Sequence, residues 1–129
     1  PTWVTLPGRH NLANALGAAA AALAHGVSLQ AIEQGLRTYQ ALPHRLELVA
    51  TTAGRRFYND SLATTPESTR VALEAFDGPI LLLAGGYDKR VDLTAMGTAI
   101  ARRTKGVALM GQTAARLAEI IVATPDRVT

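Results

Sequence analysis

The stretch that most constrains the fold is Pro79-Ile80-Leu81-Leu82-Leu83-Ala84, an unbroken apolar run of strand length that leads into Gly85-Gly86-Tyr87-Asp88-Lys89. A run without polar alternation marks a strand covered on both faces, as at the centre of a parallel sheet, and parallel neighbours need crossover connections. The flanking sequence supplies them. From Phe57 onward, strand-like and helix-like segments alternate. An amphipathic helix spans Ser68 to Phe76, and a later one is capped by Asp92 and buries Leu93, Met96 and Ile100. A short strand over Gly106 to Met110 follows, then a helix with Leu117, Ile120 and Ile121 inward. The fold class expected is α/β, an open, mostly parallel sheet with flanking helices. Paired glycines at the carboxyl end of a central strand let the backbone turn sharply and a ligand approach, and Lys89 would bring a positive charge there. The pattern is neither a P-loop nor a dinucleotide fingerprint.

A second informative stretch is Asp60-Ser61-Leu62-Ala63-Thr64-Thr65-Pro66-Glu67, between the strand Arg55 to Asn59 and the helix that follows. Helix N-termini offer unpaired N–H groups and partial positive charge to an anion. The plainer reading is a capped helix. Thr64 with Glu67 fits a capping box, and Thr65 followed by Pro66 at the first helical position fits equally well. Together with Lys89 this junction suggests an anion-friendly crevice. Upstream, Leu46-Glu47-Leu48-Val49-Ala50 alternates like a half-buried strand and pairs with Arg55 to Asn59 across a turn at Thr52-Ala53-Gly54. His44 and Arg45 sit at the mouth of this hairpin, where an arginine can hold a phosphate or carboxylate with two bonds or remain a solvated surface group.

The first part of the chain reads as helical. After a short lead-in over residues 1–7, Leu12, Leu16, Ala19 and Leu23 recur at helical spacing up to Gly26. Asn11 and Asn14 lie one turn apart, placed either to read a base or ribose or simply to cap the helix. A second helix, capped by Ser28, is expected to bury Leu29, Ile32 and Leu36. Pro43 discourages helix at Leu42 and marks a boundary, dividing the chain into residues 1–42 and 43–129.

Composition excludes several classes. The chain has no cysteine, so disulfides and thiolate chemistry are ruled out. His10, His25 and His44 are too dispersed for a zinc site, and Ser61 lacks a nucleophile-elbow context. Lys and Arg are scattered over a net charge of only +3, with one cluster, Arg102-Arg103-Thr104-Lys105, that also suits a helix C-terminus. No signal peptide and no apolar run of bilayer length is present. Because the sequence starts at Pro1 and stops at Thr129 just after a helix, a piece of a longer protein is expected.

Four motifs in succession, Gly8-x-His10-Asn11-x-x-Asn14-Ala15, Leu42-Pro43-His44-Arg45-Leu46-Glu47, Tyr58-Asn59-Asp60-Ser61-x-Ala63-Thr64 and Gly85-Gly86-Tyr87-Asp88-Lys89, resemble the Mur ligases, and most of all their glutamate-adding member. The resemblance implies that residues 1–42 end a central ATPase domain and that residues 43–129 form most of a Rossmann-like third domain, truncated at its C-terminal end. It implies a cytoplasmic, monomeric, ATP- and Mg2+-dependent amide ligase of peptidoglycan precursor synthesis. Its substrates would be UDP-N-acetylmuramoyl-L-alanine and glutamate, with no nucleic-acid or membrane partner. The P-loop lysine and the magnesium ligands would lie mainly outside this stretch, leaving it inactive alone. Asn11 and Asn14 match positions near the adenine, His44 and Arg45 match an interdomain hinge that meets the nucleotide, and Asp60 matches a carboxylate at the ribose. Ser61, Thr64 and Lys89 match the substrate side, Thr64 and Lys89 at the glutamate carboxylates. The family motif often reads Asp-Ser-Lys-Ala-Thr, whereas Leu62 stands here in place of that lysine, which leaves the D or L choice of glutamate open. The alternatives are another Mur-type or folylpolyglutamate-type ligase, or a non-catalytic nucleotide or amino-acid binding module.

Overall fold

The computed structural model of the chain describes Val4, residues 7–125 and Arg127, so the lead-in lies largely outside the described residues. Two compact units divide the chain, one up to Leu62 and one from Ala63 on.

The first unit holds α1 (Arg9–Ala24), α2 (Leu29–Thr38), β1 (Glu47–Thr52) and β2 (Arg55–Asn59). Asn11 anchors the start of α1 by donating its side-chain N–H to the Pro7 carbonyl at 2.7 Å. Ser28 caps α2 as expected, its hydroxyl accepting from the Ala31 N–H. Leu29 departs from the expected buried stripe. It is 72% exposed, whereas Ile32 and Leu36 are half-buried, because the first helical position lies beyond the face that α2 turns to α1. β1 and β2 form an antiparallel hairpin in which Glu47 pairs with Asn59 and Thr52 with Arg55, with a bulge between Leu48 and Ala50. Its two-residue loop, Ala53-Gly54, has positive φ at both residues (48° and 72°), the twist that matches paired strands.

The second unit contains α3 (Pro66–Glu74), β3 (Ile80–Gly86), α4 (Thr94–Arg103), β4 (Thr104–Gly111) and α5 (Ala114–Ala123). Of the two possible caps for α3, the chain uses Thr65, whose hydroxyl accepts from the Ser68 N–H at 3.2 Å with Pro66 in the first turn. β3 and β4 run parallel, with Leu81 opposite Gly106 and Gly86 opposite Gly111, and α4 is the crossover between them. Leu73, Leu93, Met96, Ile100 and Leu117 form the core, and Ile80, Leu82, Ala84, Val107 and Leu109 from the strands pack onto it. Ile100 and Leu117 are the most deeply buried side chains, and both lie on the helix faces that the sequence periodicity marks as inner.

β3 differs from expectation in two ways. It continues through Gly85 and Gly86 instead of ending before them, because both glycines pair with β4. Its burial alternates, with Leu81 and Leu83 77% and 75% exposed, because α4 and α5 pack against the opposite face. Apolarity on both faces of a strand does not reveal which face is covered within this stretch. Arg103 also acts beyond its own helix: its guanidinium donates to the Leu73 and Phe76 carbonyls at 3.3 and 2.8 Å, closing the C-terminal end of α3.

Gly97 sets the spacing of α4 and α5. A Cβ at that position would stand 2.5 Å from Ile120 Cγ2 and 2.9 Å from Ile120 Cβ, and the β-branched Ile120 cannot swing away. Gly97→Ala therefore gains about 1 kcal/mol of helix propensity but forces an overpacked contact that costs roughly 1–3 kcal/mol. Net destabilisation in urea unfolding is expected, and a variant more stable than wild type would show that the two helices part without cost.

Candidate functional site

In the first unit, the candidate residues gather where the segment before β1 meets the turn after β2. His44 and Leu46 adopt positive φ (64° and 45°), which non-glycine residues seldom hold unless surrounding bonds enforce it. Those bonds are present. The His44 N–H donates to Glu47 Oε2 at 2.7 Å, the Leu46 N–H donates to Asp60 Oδ1 at 2.9 Å, and the Leu62 N–H donates to the His44 carbonyl at 3.0 Å. Asn59 Oδ1 accepts from the Ser61 N–H at 3.1 Å, which turns its Nδ2 toward His44 Nδ1 at 2.7 Å. The imidazole is thereby fixed in place by the Asn59 side chain. Asp60 is thus a structural acceptor as well as a ligand candidate. Arg45 is exposed, with its backbone N–H on the Leu42 carbonyl at 3.2 Å. Asn11 is buried against Pro7 and Asn14 is exposed on α1; among the described residues no hydrogen bond joins either to the hairpin base.

In the second unit, the loop after β3 brings Lys89 to the turn before α3, where its ammonium donates to the Thr64 carbonyl at 3.2 Å. Thr64 and Lys89, expected to act together, are therefore neighbours. The loop itself is held from the start of α5. Arg116 Nη1 grips both carboxylate oxygens of Asp88 at 2.9 and 2.8 Å, and Nη2 donates to the Val91 carbonyl at 3.0 Å. Gln112 Oε1 accepts from the Asp88 N–H at 3.1 Å, and Asp88 Oδ1 accepts from the Arg90 N–H at 2.7 Å. The hydrogen bonds from Arg116 and Arg90 hold the Asp88 carboxyl below the usual aspartate range. Among the described residues no group of three or more His, Asp and Glu side chains is arranged to hold a metal ion. No described helix is long and apolar enough to cross a membrane.

A family model described as "Mur ligase, glutamate ligase domain" matches residues 44–129. The chain belongs to the Mur ligase family. Similar proteins include UDP-N-acetylmuramoylalanine--D-glutamate ligases from Caldicellulosiruptor bescii, 43% identical over 115 residues, and from Lacticaseibacillus casei, 44% identical over 115 residues. Each of these alignments covers 89% of this chain and 25% of the relative. The ligase of the same name from Geobacillus kaustophilus is 47% identical over 118 residues, covering 91% of this chain and 26% of the relative. The chain thus spans about a quarter of the length of the curated relatives it matches. The Mur ligase match encloses both turns, from His44 to Lys89, as well as the Arg116 brace.

Sequence reading missed Asp88, Gln112, Arg116 and Asn59 as site-building residues. Asp88 and Arg116 lie 28 positions apart, and only the parallel pairing of β3 with β4 makes them neighbours. Asn59 lay inside a motif that was already legible, but its partner His44 is 15 positions away.

Asp60→Ala leaves the N–H of the buried Leu46 without an acceptor and should cost about 1–3 kcal/mol in denaturant unfolding. Asp60→Asn keeps a carbonyl oxygen there and should lose less, and equal losses would show that the bond carries no weight. For Asp88 the folded value is depressed, so its stabilisation is complete above the ordinary aspartate pKa of about 3.9. It disappears as pH falls through the lower folded value. The stability gap between wild type and Asp88→Asn, measured in urea at stepped pH, should be widest above about pH 4 and close below it. A gap that widens on acidification would contradict the ion pair.

Proposed function

We propose that this chain is the part of a glutamate-adding Mur ligase that receives the incoming amino acid, with residues 1–42 ending the central ATPase domain and residues 43–129 belonging to the glutamate ligase domain. The observation that carries the reading is the coincidence of the family match over residues 44–129 with a cation, Lys89, seated on the Thr64 turn at the end of β3. The carboxyl ends of parallel strands are where α/β proteins bind ligands.

In this reading the carboxylate of UDP-N-acetylmuramoyl-L-alanine takes the γ-phosphoryl group of ATP, releasing ADP. The amine of glutamate then attacks the acyl carbon, a C–N bond forms, the C–O bond to phosphate breaks, and inorganic phosphate leaves as the amine sheds its proton. A carboxylate is a poor electrophile, and phosphorylation turns its oxygen into a leaving group. Holding the amine against the acyl phosphate supplies much of the remaining rate. Lys89, Thr64 and Ser61 are assigned to the glutamate side. Asn11, Asn14, His44, Arg45 and Asp60 are assigned to the nucleotide, Asp60 through the carboxylate oxygen that Leu46 leaves open. The ligands of the magnesium ion that such a ligase uses are assigned mainly to parts of the longer protein outside this stretch. The setting is the cytoplasm, and the working unit a monomer.

The test is phosphate release by the full-length protein with UDP-N-acetylmuramoyl-L-alanine, ATP and a panel of amino acids that includes both glutamate enantiomers. Lys89→Ala should raise the glutamate KM about ten- to hundredfold, the worth of one charge-assisted hydrogen bond, with the ATP KM little changed. An unchanged glutamate KM would remove Lys89 from the site.

A further inference from the structure

We infer that Arg116 is a positioning residue that keeps Lys89 open to an anionic substrate group by holding the neighbouring Asp88 carboxylate. The inference rests on the reading of Lys89 as a glutamate contact and adds to it a reason why that contact is available. Asp88 precedes Lys89 on the same exposed loop, and an uncommitted carboxylate one residue from an ammonium competes with any anion that the ammonium must bind. In this chain the competitor is occupied. Both Asp88 oxygens accept from Arg116 Nη1, and Oδ1 also accepts from the Arg90 N–H, so the carboxylate is engaged by groups other than Lys89. Lys89 rests instead on an uncharged acceptor, the Thr64 carbonyl at 3.2 Å, which leaves ammonium protons for a ligand.

The choice of arginine fits the task. A guanidinium offers several donors in a fixed plane, so one side chain can serve the carboxylate and, through Nη2, the Val91 carbonyl at 3.0 Å. Its backbone belongs to the first turn of α5, and Gln112 just ahead of that helix holds the Asp88 N–H. The loop bearing Lys89 is therefore fastened at its main chain, while the carboxylate next to Lys89 is neutralised by Arg116 and the loop's other acid, Asp92, is held by the Thr94 N–H and hydroxyl. A brace and a charge trap make different predictions, because removing Asp88 restores an open Lys89 without restoring the brace.

The experiment measures glutamate KM and kcat for full-length Arg116→Gln, Arg116→Lys, Lys89→Ala and the double variant Asp88→Asn/Arg116→Gln. Arg116→Gln should raise glutamate KM about tenfold, with kcat less affected, as Asp88 turns to Lys89. The double variant should recover most of that loss, and Arg116→Lys, which still sets a cation against Asp88, should stay within about threefold of wild type. A double variant no better than Arg116→Gln overturns the inference, because Arg116 would then be only a brace. So does an Arg116→Lys variant as impaired as Lys89→Ala, since a retained cation would then give no protection. If Lys89→Ala itself leaves glutamate KM unchanged, the Lys89 reading fails and the inference falls with it. If Lys89→Ala raises KM while Arg116→Gln does not, the Lys89 reading stands and the inference alone is lost.

Discussion

The burial of one face of the β3–β4 pair beneath α4 and α5 is the constraint on which the second unit depends. Ile100 and Leu117 close that layer, and Gly97 lets the two helices approach until Ile120 fills the gap. Because β3 and β4 run parallel and in register to their last glycines, both strands end at the same level. The loop after β3 and the start of α5 after β4 are therefore neighbours, although they are far apart in sequence. Gly85 makes the final step of this register possible, since a Cβ there would meet the Met110 carbonyl oxygen at 1.9 Å. The Arg116 grip on Asp88 and the placement of Lys89 both follow from this alignment.

The first unit reaches a defined geometry by another route. Among the described residues, no buried layer comparable to Ile100 and Leu117 supports its hairpin, and Leu46 is a buried apolar side chain at its base. Local order comes from polar side chains that saturate main-chain N–H groups. Asp60, Glu47 and Asn59 each take one, and together they hold His44 and Leu46 in a conformation that costs on the order of 1–3 kcal/mol per residue when unsupported. Strain held by a hydrogen-bonded frame at a turn is a common property of residues poised for a ligand, and His44 and Arg45 stand at that turn.

What was legible in the sequence was local. Ser28 as a cap, a turn that includes Ala53-Gly54, and the inner stripes Leu93-Met96-Ile100 and Leu117 follow from patterns within a few residues, and the structure has them. Thr65 rather than Thr64 could not be chosen in advance, because both cap patterns satisfy the same orphan N–H groups. The extension of β3 through two glycines, the bulge at Leu48 to Ala50 and the Asp88–Arg116 pair depend on partners distant in sequence, and composition carries no trace of them. Leu29 shows the converse limit: helical spacing places it on the apolar stripe, but a first-turn residue can lie past the reach of the helix it faces.

Leu62 can now be read in physical terms. It occupies the place of a lysine in the motif that the chain otherwise shares with its family, and its side chain is 49% exposed. Its structural contribution is the main-chain N–H that donates to the His44 carbonyl, a bond any residue except proline supplies. The base of the hairpin is therefore indifferent to whether leucine or lysine stands there. What the departure removes is one positive charge facing solvent, at a position where the fold asks nothing of the side chain.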